Sequence, residues 1–219
     1  MLPRLAIPLS LVTLGLCASP VQADPVYFTI DQCAEGDCAA FDQSGRGSIV
    51  AALEIINGND LLITLTNALN ASATGDDPHL TNIGFEYGSL LEGLTFDSFT
   101  VLSGTVARPT FTVDTAIRSF FIDFGFVFPD SHDRDDWFQA RAPHESVQMV
   151  VGTTGDVNLS AFLLGIAKVG GAGENGGSGA IVLTGTPSET HSVPEPGSLA
   201  LVGLGLATLG LRRSRASQN

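Results

Sequence analysis

Basic residues are scarce through most of this 219-residue chain. From Asp24 to Glu195 there are 23 aspartates and glutamates against six arginines and lysines, a net of −17. A surface of that sign repels phosphate backbones, and nucleic-acid affinity needs clustered Lys and Arg to displace counterions, so nucleic acid is excluded as a partner. Hydration, solubility and divalent-cation binding remain open to so acidic a body. Cysteine is nearly absent, with three residues in all. Two of them, Cys33 and Cys38, have no nearby histidine and cannot complete a zinc shell. Aromatic residues other than the 13 phenylalanines are few, and Trp137 is the one tryptophan. Valine, isoleucine and leucine are nonetheless plentiful, which argues for a folded body rather than a disordered one.

The usual signatures of catalysis are missing as well. No G-x-S-x-G elbow presents a serine nucleophile. No G-x-x-x-x-G-K-[ST] or G-x-G-x-x-G opens a helix, so nucleotide binding is not indicated. A glycosidase needs two carboxylates flanking a cleft, and with 23 acids available the sequence singles out no pair. The expectation is a protein that is not an enzyme.

Residues 1–23 read as a secretory signal peptide. Arg4 is followed by the apolar run Leu5–Leu16, and Val21 and Ala23 stand at −3 and −1 of a cut before Asp24. Cys17 raises the question of a lipoprotein anchor, but Leu16 before it is bulkier than such a site takes. Export through Sec puts the body in an oxidising compartment. There the close pair in CAEGDC, Cys33 and Cys38, reads as a local disulfide pinning a turn, with two free thiols as the alternative.

Between Asp24 and Gly185 helical periodicity is hard to find. Short β-branched and aromatic runs, bounded by Gly, Asn, Asp or Pro, take its place. They are Val26–Ile30, Ser48–Ile56, Asp60–Thr66, Thr81–Tyr87, Thr95–Leu102, Thr105–Val113, Ile117–Phe128, Ser146–Val151, Val157–Ala167 and Ala180–Leu183. Asn57-Gly58-Asn59-Asp60 between two apolar runs is a strong hairpin signal, because Asn and Gly tolerate φ > 0. Ser103-Gly104 is a weaker one. Many short strands at such spacings predict an all-β body over residues 24–187, an antiparallel β-sandwich of jelly-roll-like kind. Phe120, Ile122, Phe124, Phe126 and Phe128 alternate with other residues, so period two places them on one strand face, read as core rather than as a sugar-stacking ladder.

The densest chemical candidate is PDSHDRDDWFQARAPHE. Asp130, Asp133, Asp135 and Asp136 fall within one short run, the hard oxygen donors that calcium prefers. No glycine follows at the turn position and no glutamate closes a twelve-residue loop, so the run is either a solvated loop or a calcium site of another kind. Trp137 follows at once, as a ligand-stacking platform for a sugar or as an anchor of the loop onto the core.

The chain closes on VPEPGSLALVGLGLATLGLRRSRASQN. Ser198–Leu211 is 14 residues of apolar or small character, which as a helix spans roughly 21 Å, short of the ~30 Å hydrocarbon core. Arg212, Arg213 and Arg215 mark its cytoplasmic end, leaving the body across the membrane. Pro194 and Pro196 keep Val193–Gly197 extended, a shape that suits a protease. These residues, Val193, Pro194, Glu195 and Pro196, then the apolar stretch, then Arg212 and Arg213, resemble the PEP-CTERM sorting tail. The resemblance covers residues 193–219, which with the polar spacer before them make the segment 188–219, and leaves the body, residues 24–187, unassigned. It implies a Gram-negative bacterium, a transient stay in the inner membrane, and a membrane-embedded exosortase that cuts near the motif and sends the body to the surface. The expected role is a non-enzymatic exopolysaccharide or biofilm matrix component, with extracellular polysaccharide as partner. The alternative is a lectin-like carbohydrate-binding module with a calcium-assisted sugar site.

Overall fold

The structure is a computed structural model that describes residues 24–36, 38–43, 47–70, 78–129, 137–139, 144–171 and 180–188. In chain order its elements are β1 (Val26–Ile30), β2 (Gln32–Glu35), α1 (Cys38–Gln43), β3 (Gly47–Ile56), β4 (Asp60–Leu69), β5 (His79–Tyr87), β6 (Thr95–Ser103), β7 (Thr110–Ile117), β8 (Phe120–Val127), β9 (Phe138–Gln139), β10 (Glu145–Gly152), β11 (Phe162–Gly170), β12 (Ile181–Gly185) and β13 (Pro187–Ser188). A 3-10 turn, Leu159–Ala161, precedes β11.

Alternation decides which side of each strand is buried. In β1, Phe28 and Ile30 are buried while Tyr27 and Thr29 are exposed, and β3 and β4 repeat the pattern over ten residues each. All the pairings are antiparallel, and they build two sheets of order β13-β1-β3-β4-β10-β6 and β2-β12-β11-β5-β8-β7, with β9 added beside β5. The inner faces meet in one apolar core. Phe28 of the first sheet lies 5.5 Å from Phe85 and 6.4 Å from Phe162 of the second, and Phe96 lies 5.4 Å from Phe126. Each fully buried phenylalanine stabilises the fold by about 2–3 kcal/mol of transfer free energy. The expected all-β architecture of two antiparallel sheets is what the chain forms.

The Asn57-Gly58 turn is where the sequence puts it. Asn57 and Gly58 take φ of 51° and 96°, and Ile56 faces Asp60 across the β3–β4 hairpin. The second expected hairpin does not form. β6 and β7 lie in different sheets, and residues 105–109 carry the chain between them, burying Val106. Gly104 turns over the Glu145 side chain, whose Cγ stands 2.6 Å from where a Cβ on Gly104 would be. The real hairpin in this region joins β7 to β8 through Arg118 and Ser119.

That hairpin is bent, and the bend corrects the one-face reading of the phenylalanine strand. Phe124, Phe126 and Phe128 enter the main core as expected. Ile122 does not follow them. It packs with Ile117, Ile166 and Val182 in a second cluster, joined by Phe120 and Leu164. Ile166 sits opposite Gly84, and Val182 opposite Lys168, on the face of the second sheet turned away from the core. The alternation breaks at Asp123, near Asp114 with its φ of 47°, where β8 leaves β5. From there the hairpin folds back over the sheet's outer face. Its turn reaches the far edge, where Arg118 donates 2.9 Å to the Ala180 carbonyl. Ile122 comes to rest on Gly84, whose missing Cβ would stand 2.3 Å from Ile122 Cδ1.

Candidate functional site

Pairing registers give the sandwich two distinct ends. The upper end gathers Leu69, His79, Gln139, Glu145 and Gly170. Several polar groups are buried there, which demands partners. Glu145, 5% exposed, opens β10 opposite Asn67. Its carboxylate accepts the Gln139 backbone N–H. Asn67 Nδ2 donates to the Phe138 carbonyl at 3.0 Å, and its Oδ1 accepts from Leu69 N–H at 3.2 Å. Thr81 Oγ1 donates to the Lys168 carbonyl at 3.1 Å. These bonds tie β9, a two-residue strand, to β4 and β10 as well as to β5.

Trp137 enters this arrangement from the side. Its indole stacks on the buried His79 ring, centroids 3.9 Å apart and planes 29° off parallel. His79 begins β5 and pairs with both Gln139 and Gly170. One indole face is therefore in use as a lid on the histidine, the anchoring role, and a sugar would have to use the other. Asp130, Asp133, Asp135 and Asp136 lie outside the described residues, so their arrangement is not described. Among the described residues, no group of three or more His, Cys, Asp and Glu side chains is placed to hold a metal ion. The sequence reading overlooked His79, Asn67 and Gln139, and met Glu145 only as a neighbour of the acidic run. Each is a polar residue at a strand terminus, and only the register shows that they meet.

Beside this end, the structure joins Cys33 to Cys38 in a disulfide, Cα atoms 5.5 Å apart, closing the turn between β2 and α1. Gly36 makes the turn with φ of 100°, and a Cβ there would stand 2.7 Å from the Ala180 carbonyl oxygen. The tip of the bent hairpin arrives at the same place. Arg118 lies 4.0 Å from Glu35, and Ser119 donates to the Glu35 carboxylate. An open polar groove of about 470 Å³ lined by Asp31, Gln32, Gly47 and Ser48 adjoins it.

The lower end is different in chemistry. The segment between β5 and β6 and the bend of the β7–β8 hairpin enclose a cleft of about 200 Å³, lined by Leu90, Leu91, Leu94 and Val113 with Asp114 and Asp123. Asp123 does not face it idly, since its carboxylate accepts the Tyr87 N–H at 2.6 Å.

The family model of the PEP-CTERM protein-sorting motif matches residues 192–215. That span includes Val193, Pro194, Glu195, Pro196, Arg212 and Arg213, all outside the described residues. No curated protein and no solved structure matches the chain. The motif makes this a secreted protein with a C-terminal membrane-anchoring sorting signal, and exosortase is its processing partner. The expected signal peptide, residues 1–23, and the apolar stretch 198–211 also lie outside the described residues. Among those described, no helix is long and apolar enough to cross a membrane.

Proposed function

We propose that the body is a non-enzymatic component of the extracellular matrix of a Gram-negative bacterium, delivered by its tail and held among exopolysaccharide or biofilm polymer. The observation that carries this reading is the sorting motif at residues 192–215. The acidic balance of the body, 23 acids against six bases from Asp24 to Glu195, fits a hydrated matrix and leaves calcium as a bridge to anionic polymer. The body passes through the inner membrane, is held there briefly by its C-terminal segment, and ends at the cell surface.

Intact mass of the protein taken from its own cell surface or medium tests delivery. A chain from Asp24 to a terminus within 193–197 is expected, with any excess mass reporting an attached glycan or lipid. A chain intact to Asn219 would sink the reading. Association is tested by sedimenting that material with exopolysaccharide in calcium and in chelator. Weak, calcium-dependent, multivalent retention is expected.

A second reading, a lectin-like module with a calcium-assisted sugar site, draws on the placement of Trp137 directly after the acidic run and above His79. It predicts saturable monosaccharide affinity that Trp137→Ala removes while the fold survives.

A further inference from the structure

The chain leaves the sandwich at the lower end. Tyr27 pairs with Ser188 and Phe28 with Pro187, so beyond Ser188 it runs toward the start of β1. Register carries that position across the first sheet. Val26 faces Leu53, Ile56 faces Asp60, Leu61 faces Val151, and Gly152 faces Thr95. The second sheet agrees, because Tyr87 faces Phe162 just where the 88–94 segment begins. Thr154 N–H bonds the Glu92 carbonyl at 3.0 Å and Thr153 Oγ1 the Asn59 carbonyl at 3.0 Å, tying these loops into one surface.

Only residues 189–193 separate Ser188 from Pro194. An extended chain covers at most about 3.5 Å per residue, so the Pro-Glu-Pro motif lies within roughly 20 Å of the lower end. An enzyme embedded in the membrane that reads this motif therefore works against that end of the sandwich.

The same end exposes apolar side chains. Leu90 is 78% exposed and Leu163 is 50% exposed. Leu163 lies beside the start of the 88–94 segment, a methyl 3.5 Å from the Cβ position of Gly88, and Leu90 stands two residues further along that segment. Leu91, Leu94 and Val113 continue the surface into the cleft. Glu92, Asp114 and Asp156, all exposed, surround it with negative charge. Exposed apolar groups inside a charged rim are the anatomy of a protein contact.

We infer that the lower end, centred on Leu90 and Leu163, is the surface on which the membrane-embedded exosortase seats the body while it cuts the tail, through an apolar patch edged with basic groups. The inference rests on processing of the tail by exosortase, as proposed above. It also orients the molecule, with the Trp137 end turned away from the membrane.

The test is a pulse-chase of the full chain in its own host, reading full-length against cut protein by mass. The variant Leu90→Asp with Leu163→Asp is expected to slow cutting by about fivefold or more, as loss of a contact anchor does. Leu102→Asp, also exposed but on the upper half of β6, is expected to leave the rate unchanged. Inserting ten Gly/Ser residues after Ser188 touches no strand, so it reads the same coupling even where the double variant folds poorly. It is expected to slow cutting by lowering the effective concentration of motif at enzyme. Wild-type rates in both the double variant and the insertion would overturn the inference. A wild-type chain that is never cut would instead overturn the processing on which it rests.

Discussion

Asp123 takes the place of a strand at the end of β5: its carboxylate accepts the Tyr87 N–H at 2.6 Å where β8 turns away. In a straight hairpin a backbone carbonyl of β8 would fill that position. The side chain satisfies the donor and frees the hairpin to fold back over the sheet.

Asp123→Ala should therefore leave the Tyr87 N–H without its partner and lower stability by about 1–2 kcal/mol. Asp123→Asn keeps an acceptor and should recover part of the loss. Urea denaturation of the purified body checks both, and equal midpoints for wild type and Asp123→Ala would remove the bond from the account of the bend.

The outer cluster makes a sharper prediction. Ile122 is 1% exposed, and Ile166 and Val182 are fully buried, on a face that would otherwise meet water. Ile122→Ala should cost about 2–4 kcal/mol. Gly84→Ala should cost about 1–3 kcal/mol, because its new methyl would enter the volume that Ile122 occupies. The double variant should cost less than the sum, since removing Ile122 makes room for the methyl. Simple additivity in a double-mutant cycle would mean that the two positions do not touch.

Reduction of Cys33–Cys38 should lower stability by about 2 kcal/mol, the loop-closure value for so short a loop. The effect should extend to the hairpin tip, because Glu35 and Ala180, which hold Arg118 and Ser119, border the same turn. Amide exchange should quicken at both Gly36 and Arg118 after reduction. Quickening at Gly36 alone would show the two regions to be uncoupled.

Trp137→Ala strips the lid from His79 and should lower stability by about 1–2 kcal/mol, whereas Trp137→Phe keeps a stacked ring and should stay closer to wild type. Thermal unfolding distinguishes them. Identical melting of wild type and Trp137→Ala would leave Trp137 available for a ligand role alone.

Much of this architecture could be read from period and turn chemistry. β1, β3, β4 and β10 fall where alternation places them, and Asn57-Gly58 declares its hairpin by residue type. The bent hairpin could not be read in that way. Arg118-Ser119 carries no glycine, asparagine or proline, so the sequence broke this region at residues 114–116, between Thr105–Val113 and Ile117–Phe128, rather than at the true turn. Ile122 has the same parity as Phe124, and only the bend at Asp114 and Asp123, with Asp114 at φ of 47°, sends it to the other face. β2 and α1 were hidden beneath the cysteine spacing, where the eye goes to the disulfide. The polar set at the upper end was equally silent. Asn67, His79 and the Gln139–Glu145 pair are distant in sequence, and antiparallel register is what brings them together.

The pairing of Tyr27 with Ser188 has a use beyond anchoring. First and last strands lie side by side, so the whole sandwich is a cassette with both leads at one end. Grafted into a surface loop of an unrelated host, it would need two short connectors and would force no host strand apart. The position after Ser188 is equally a natural splice point, where a different cargo that brought its own contact surface could take over the same address label.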